Sequence, residues 1–205
     1  MKVAKMAQQM GSQAMTVQAD VSNETAVSAM INDVVAQYGH IDILVNNAGI
    51  VVDVPFSTRT TDQWRRTLDV NLNGTYYCAK YAIPHLLVGG SIINISSTNA
   101  IDAFHPNSID YDVSKAGTIM FTKSLARELA PKIRVNCIAP GWSDTDINAD
   151  LPADYIAHET RKIAMGTFGD PAQVASVAAF LASQGASYMT GSVVVVDGGY
   201  SGWAE

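Results

Sequence analysis

Apolar and polar residues follow two different periods along this chain, and the change of period predicts the order of its elements. Apolar residues three and four apart, as in residues 24–38, are typical of one face of a helix. Short, almost unbroken apolar runs are typical of parallel strands that are buried on both faces. We predict such strands at residues 14–19, 41–45, 91–96, 133–139 and 192–196.

Capping residues mark the ends of the helices between these strands. Ser22 or Asn23 can be the N-cap of the helix that Gly39 closes, because either side chain can accept a hydrogen bond from the first turn. Thr60 and Gln63 have the spacing of a capping box, and Pro84 is expected to kink or fray the last turn of the helix that follows. We predict helices over residues 1–10, 24–38, 61–87 and 111–130, another near residues 155–163, and one that begins at Pro171.

Strands that alternate with helices at this spacing predict right-handed βαβ units in an α/β fold. We therefore expect a doubly wound parallel sheet between two layers of helices, which is a Rossmann-like arrangement. In such sheets ligands bind beyond the carboxyl ends of the strands. Polar or turn residues follow the predicted strands at Asp20, Asn47, Ser97, Pro140 and Gly141, so this edge is the predicted site.

Composition and charge narrow the class of protein. The 205 residues are 48% hydrophobic and 16% charged, which fits one domain with a substantial core and excludes a disordered chain. A net charge of −6 without a basic stripe makes nucleic acid or an anionic membrane an unexpected partner. The chain has no apolar run long enough for a membrane span and no signal peptide, so we expect a cytoplasmic protein. The two cysteines and four histidines lack metal-ligand spacing, and no metal site is predicted.

The clearest chemical signal is the pair Tyr111 and Lys115, four residues apart on a predicted helix. That spacing puts both side chains on one face, one turn apart. A positive charge at about 5 Å, with an effective dielectric of about 20, would favour the phenolate by roughly 3 kcal/mol, or about two pKa units. We therefore expect Lys115 to lower the pKa of Tyr111 into the range of general acid–base catalysis. Ser97, at the end of the preceding strand, could fix a substrate oxygen beside the phenol.

Together these motifs resemble the classical short-chain dehydrogenase/reductase family, and the resemblance extends over the whole chain. The matching residues, in chain order, are Asn46-Asn47-Ala48-Gly49, Asn71, Ser97, Tyr111 with Lys115, Pro140-Gly141 with Thr145, and Asp197-Gly198-Gly199. Residue Ser143 departs from the pattern, because the family more often has an aliphatic residue there.

The resemblance implies a role for each matching residue. Tyr111 would exchange a proton with the substrate oxygen that Ser97 orients, while Lys115 would hold the nicotinamide ribose. Asn71 would anchor a water of the proton relay. The implied contacts to NAD or NADP are Asp20, Val21, Asn47, Ala48, Gly49, Tyr111, Lys115, Pro140, Gly141, Ser143 and Thr145.

The resemblance breaks at the front of the chain. The family begins with a strand, a glycine-rich turn, a helix and a second strand, and their combined length is roughly 40 residues. No glycine cluster of this kind is present, so we expect an N-terminally truncated family domain. The strand at 41–45 would then have an open edge, and residues 14–19 would have no strand to pair with. We expect this chain alone to bind cofactor weakly or not at all. The residues that choose between NAD and NADP would lie in the absent segment.

The leading interpretation is an NAD(P)-dependent oxidoreductase that interconverts a secondary alcohol and a ketone. A small sugar, polyol or simple ketone is the favoured substrate, because the predicted lid over residues 142–169 offers few basic groups for an acidic carrier protein. A 3-oxoacyl-carrier-protein reductase remains an alternative. A sugar-nucleotide epimerase or dehydratase, and a truncated non-catalytic paralogue that acts as an assembly partner, are the others. The family also implies a homotetramer or homodimer.

Overall fold

Four parallel strands organise the part of the chain that the computed structural model describes, residues 2–102, 106–145, 148 and 151–201. They lie side by side in chain order, and each pair of neighbours is parallel. The strands are β1 (Ile41–Asn46), β2 (Leu86–Ile95), β3 (Arg134–Pro140) and β4 (Val193–Val196). The α-helices are α1 (Lys2–Gln9), α2 (Glu24–Tyr38), α3 (Thr61–Leu68), α4 (Gly74–Ala82), α5 (Ile109–Leu129), α6 (Ala153–Thr160) and α7 (Pro171–Ala182).

Consecutive residues of one strand face opposite helical layers, which explains the unbroken apolar runs. In β2, Ile92 packs with Ala79 of α4 and Leu125 of α5, while its neighbour Ile93 packs with Leu181 of α7. Both isoleucines are fully buried. On the first face, α2 adds a second cluster around Val27. Helices therefore cover both faces of the sheet, and the predicted doubly wound fold is confirmed.

The caps predicted from the sequence form as expected. The Asn23 side chain accepts a hydrogen bond from the backbone N–H of Ala26, and Gly39 adopts a positive φ of 85° while its N–H bonds the carbonyl of Val35. Thr60 and Gln63 make the reciprocal hydrogen bonds of a capping box at the start of α3. These local interactions fix where the helices begin and end, and they need no tertiary information.

The helix predicted over residues 61–87 is interrupted and shorter. A π-helical turn, Asp69–Asn73, separates α3 from α4, and α4 gives way to a 3₁₀ turn, Ile83–His85, that contains Pro84. Because proline has no N–H to donate and its ring crowds the preceding turn, the α-helix cannot continue through it. The next two residues, predicted to be helical, instead open β2, which begins at Leu86 rather than at residue 91.

The strand predicted at residues 14–19 does not form, so that prediction is wrong. The segment has no regular structure, and β1 pairs only with β2 among the described residues. An apolar run becomes a strand only where a neighbour satisfies its backbone hydrogen bonds. The free edge of β1 agrees with the expected open edge, and its Ile43 and Val45 side chains are about half exposed.

Candidate active site

A cleft of about 1310 Å³ opens at the carboxyl ends of β1, β2 and β3. The strands and the loops that follow them bring together residues that are far apart in the sequence, as the topology of a parallel sheet requires. Ten of the predicted site residues line this cleft: Asn47, Ala48, Gly49, Ser97, Tyr111, Lys115, Pro140, Gly141, Ser143 and Thr145.

Tyr111 and Lys115 project from one face of the first turns of α5, as the four-residue spacing predicts. The Nζ atom of Lys115 lies 5.5 Å from the centre of the Tyr111 ring and donates a hydrogen bond of 2.9 Å to the carbonyl of Ile95. The Ser97 hydroxyl interacts with the phenol of Tyr111 from the end of β2. The structure therefore places an amine, a phenol and a hydroxyl around one point of the cleft.

Burial dominates the protonation of this group. Burial raises the pKa of Tyr111, the hydrogen bond from Ser97 offsets part of that rise, and the nearby charges of Asp112 and Asp53 add to it. The expectation that Lys115 lowers this pKa is wrong, because desolvation favours the neutral forms of both side chains. Desolvation lowers the pKa of Lys115 to about 8. Near neutral pH Tyr111 is therefore a phenol that can donate a proton, beside an amine that is mostly charged.

Ser97 is oriented by a residue that the sequence analysis missed, Asn99. The Ser97 oxygen accepts a hydrogen bond from the backbone N–H of Asn99, and its hydroxyl lies 3.3 Å from the Asn99 Oδ1 atom. The Asn99 amide in turn donates to the carboxylate of Asp112 at 2.9 Å. Nothing in the sequence marks Asn99, because its role depends on the 3₁₀ turn Thr98–Ala100 that folds it back over Ser97.

Asn71 lies behind the cleft rather than on its surface. Its carboxamide accepts from the N–H of Ile50 at 2.8 Å and donates to the carbonyl of the same residue at 2.9 Å. It also donates to the hydroxyl of Ser114 at 3.0 Å. The side chain is almost fully buried. Asn71 therefore ties the loop after β1 to the helix that carries Tyr111.

Asp20 and Val21 lie outside the cleft as the structure describes it. The carboxylate of Asp20 accepts hydrogen bonds from the backbone and hydroxyl of Ser22, which lower its pKa, and from Arg66 at 3.2 Å. Val21 packs against Gly74, where a Cβ atom would come within 2.8 Å of the valine side chain. Their role in cofactor binding stays a prediction.

The two ends of the predicted lid, residues 142–169, contact each other. The backbone N–H of Gly169 bonds the carbonyl of Trp142, and the Trp142 ring stacks on Phe168 with centroids 5.4 Å apart. Within the lid, the nearly buried carboxylate of Glu159 accepts hydrogen bonds from Lys162 and Tyr200, each at 2.7 Å. The lid is therefore anchored to the turn that follows β4. Its helix is α6, slightly earlier than the predicted 155–163.

Two glycines of the cleft wall stand where a side chain would be crowded, and one of them borders the reacting amine. A Cβ atom at Gly49 would lie 3.3 Å from the Lys115 Nζ atom, so a side chain there would crowd the amine. A Cβ atom at Gly141 would meet the Cβ of Asp197 at 2.6 Å, which only glycine avoids. The open wall at Gly49 and the adjacent amine fit a nicotinamide nucleotide, whose ribose hydroxyls need a donor.

A parallel α/β sheet whose cleft holds Tyr111, Lys115 and Ser97 defines a class of oxidoreductase that acts on CH–OH groups with a nicotinamide cofactor. The family model described as enoyl-(acyl carrier protein) reductase matches residues 1–201. The chain belongs to the classical short-chain dehydrogenase/reductase family.

Relatives of known activity and structure cover nearly the whole chain. It is 46% identical over 195 residues to 3beta-hydroxysteroid dehydrogenase 1 of Eggerthella lenta, a match that covers 92% of this chain and 74% of that protein. It is 39% identical over 183 residues to a 3-oxoacyl-(acyl-carrier-protein) reductase of Thermotoga maritima, which covers 88% and 74%. The ligand-free aldohexose dehydrogenase of Thermoplasma acidophilum superposes with a TM-score of 0.87 at 37% identity, over 92% of this chain and 78% of that one.

The described residues contain neither a membrane-spanning helix nor a metal-binding cluster. None of the helices there is long and apolar enough to cross a membrane. No cluster of histidine, cysteine or acidic side chains there could hold a metal ion. One of the four histidines, His105, lies outside the described residues.

Proposed function

We propose that Tyr111 is the acid/base of a reaction that interconverts a secondary alcohol and a ketone. The observation that carries this proposal is the meeting of Tyr111, Ser97 and Lys115 at one point of the cleft. In the direction of ketone reduction, the Tyr111 hydroxyl gives its proton to the substrate oxygen. In the direction of oxidation, the phenolate takes that proton back.

The neighbouring residues hold the reacting oxygen and the proton donor in place. Ser97, oriented by Asn99, donates a hydrogen bond to the substrate oxygen and leaves the phenol free to transfer its proton. The ammonium of Lys115 stabilises the phenolate that forms after the transfer, since a charge 5.5 Å from the ring acts through a poorly solvated site. Asn71 keeps the loop after β1 and the start of α5 in register.

Either NAD or NADP would be held along the wall after β1 and the loop after β3. Residues Asn47, Ala48 and Gly49 form the first surface, and the backbone of residues 140–143 with Thr145 forms the second. Lys115 has donors left for the ribose beyond its bond to Ile95. We propose that Asp20 and Val21 contact the adenine end. When bound, the cofactor supplies the hydride or accepts it.

The charges around the cleft favour a neutral substrate. The cleft contains Asp53 and Glu159, while Lys162 is paired with Glu159 and Lys115 is buried. Among the described cleft residues, neither lysine offers an accessible, unpaired cation to an acidic carrier protein. The similarity to a hydroxysteroid dehydrogenase and to an aldohexose dehydrogenase also supports a sugar, polyol or other neutral alcohol. The similarity to a 3-oxoacyl-(acyl-carrier-protein) reductase keeps that activity as a second candidate.

A substrate panel tests this proposal. We expect the purified protein to oxidise at least one neutral secondary alcohol among glucose, a polyol, cyclohexanol and a 3-hydroxysteroid with NAD or NADP, followed at 340 nm. Faster reduction of a 3-oxoacyl carrier-protein thioester than of any neutral ketone would replace the favoured substrate class. A folded protein that turns over no member of either set would contradict the enzymatic proposal and favour an assembly partner.

We also propose that residues 1–205 form one domain of a cytoplasmic homodimer or homotetramer. Cys78 and Cys137 are both free and buried, which suits a reducing compartment. On α5, Val113 and Met120 are seven residues apart and 44% and 62% exposed, and Tyr76 of α4 is exposed nearby at 45%. An apolar stripe of this kind is typical of a surface that a second copy covers.

Sedimentation velocity checks this assembly. We expect a mass at two or four times 21.9 kDa, because the stripe on α5 would be covered in the assembly. Met120→Glu is expected to shift the protein towards the monomer. Val88→Glu is the matched control, since Val88 is 81% exposed on β2 and away from the stripe. A wild-type protein that stays monomeric at high micromolar concentration would contradict the proposal.

A further inference from the structure

A buried ion pair lies directly beside the proposed acid/base. The Nη1 atom of Arg59 donates a short hydrogen bond to the Oδ2 atom of Asp110, and the two side chains are only 3% and 0% exposed. Asp110 immediately precedes Tyr111 in the first turn of α5. Buried pairs add little net stability, because removing two charges from water costs about as much as their attraction returns. This pair therefore needs another explanation.

The Arg59 guanidinium also fastens the loop that lines the cleft, through its second terminal nitrogen. Its Nη2 atom donates to the carbonyls of Val52, Val54 and Asn107 at 2.8, 2.9 and 2.6 Å. The N–H of Val54 also bonds the carbonyl of Asn107 at 2.9 Å. One planar group thus holds the loop after β1 against the segment that leads into α5. A lysine could not make this set of bonds, since its three donors radiate from a single atom.

Asp110 passes this constraint to Tyr111. Its second oxygen, Oδ1, accepts a hydrogen bond of 2.9 Å from the backbone N–H of Tyr111. On the loop side, Asp53 stands between the two valines whose carbonyls Arg59 holds, and it lines the cleft. The charge of Asp53 also contributes to the raised pKa of the Tyr111 phenol. Both ends of the ion pair therefore reach groups that act on the phenol.

We infer that Arg59 and Asp110 are positioning residues that hold Tyr111 and the cleft loop at residues 52–54 in a fixed relation. This inference rests on the proposed function. Its physical reason is that proton transfer needs the phenol within hydrogen-bond reach of the substrate oxygen, and a displacement of about 1 Å can cost about a hundredfold in rate. The pair sets that distance without touching the substrate.

The first test is Arg59→Lys, which keeps the charge and loses the planar set of donors. We expect kcat/KM to fall at least tenfold, with KM raised because the loop moves and kcat lowered because Tyr111 moves. Titration of a ¹³Cζ-tyrosine label at Tyr111, followed by NMR in the protein without cofactor, supplies a readout independent of turnover. Its midpoint should fall towards the ordinary value of about 10, as water reaches the loosened site that Lys115, Asp53 and Asp112 surround.

Arg134→Lys is the matched control. Arg134 also holds backbone carbonyls, those of residues 181, 182, 183 and 186, but it does so at the end of α7 and away from the cleft. We expect this variant to lose stability and to keep the wild-type KM and the wild-type titration of Tyr111. A change in KM and titration equal to that of Arg59→Lys would contradict the inference, because it would show a general response to loosening.

A second variant separates positioning from folding. The double substitution Arg59→Met with Asp110→Asn leaves no buried charge and keeps an acceptor for the N–H of Tyr111, so it can fold even where a single variant does not. We expect a folded protein that melts at a lower temperature, because the carbonyls of Val52, Val54 and Asn107 lose a donor, with kcat/KM still at least tenfold lower. Wild-type kcat, KM and titration in this variant would overturn the inference. Turnover that survives in Tyr111→Phe would instead remove the proposed function itself.

Discussion

Replacing Tyr111 with phenylalanine is expected to lower kcat about a thousandfold, because the variant has no hydroxyl to give to the substrate oxygen. Positioned general acids and bases contribute about 10² to 10⁴ in rate, and Tyr111 is the titratable group to which the Ser97 hydroxyl is hydrogen-bonded. Because phenylalanine differs from tyrosine only by the hydroxyl, the affinity for NAD or NADP should change less than threefold. Steady-state kinetics and cofactor titration measure the two effects separately.

Tyr188→Phe is the matched control for this prediction. Tyr188 is fully exposed and does not line the cleft, so removing its hydroxyl should leave kcat unchanged. If the Tyr111 variant kept more than a tenth of the wild-type kcat, Tyr111 would not be the acid/base. If it lost cofactor binding as well, Tyr111 would have a structural role that the proposal does not contain.

Replacing Lys115 with methionine is expected to abolish turnover and to stabilise the protein at neutral pH. The pKa of Lys115 is lowered to about 8, so holding its charge in the folded protein costs about 3 kcal/mol below that pH. The variant also loses the hydrogen bond to Ile95, which destabilises it by about 1 kcal/mol. The net gain in the free energy of unfolding is therefore about 2 kcal/mol. The gain and the loss of activity have the same cause, the burial of an amine that the reaction needs.

The pH dependence of this stability has a definite sign. Between pH 8 and the unfolded pKa of about 10.5, the unfolded wild-type chain binds more protons at Lys115 than the folded one, so wild-type stability rises with pH. The advantage of the methionine variant should therefore be full below pH 8 and disappear by about pH 10.5. Urea denaturation at several pH values measures it. Lys123→Met, exposed on the same helix, is the control and should show no such trend.

Local rules predicted the helices and the central strands from the sequence. The cap at Asn23 and the capping box at Thr60 depend on residues three apart, so the sequence alone contains them. The strands at the centre of the sheet can be recognised from their unbroken apolar runs alone. The run at residues 14–19 shows the limit of this rule, because a strand also needs a partner, and pattern alone does not supply one.

The candidate site divides in the same way. The spacing of Tyr111 and Lys115 predicts their shared face, but their pKa values depend on how deeply the fold buries them, and desolvation outweighed the charge interaction. The sequence could not predict the positioning pair for a similar reason. Arg59 and Asp110 are 51 residues apart, and each residue taken alone has the properties of an ordinary charged surface residue. Only the folded chain shows that they meet in the interior.

The π-helical turn at Asp69–Asn73 gives the long helix one residue more than a regular coil would take over the same distance. Such π-helical turns are rare in proteins and are frequently found at functional sites. Efforts to stabilise this protein by making the helix ideal would therefore rotate one half against the other by about a quarter of a turn. Asn71 would then turn away from Ile50 and Ser114. The π-helical turn should therefore be kept when the protein is engineered, and it should be allowed for when homologues are aligned over these residues.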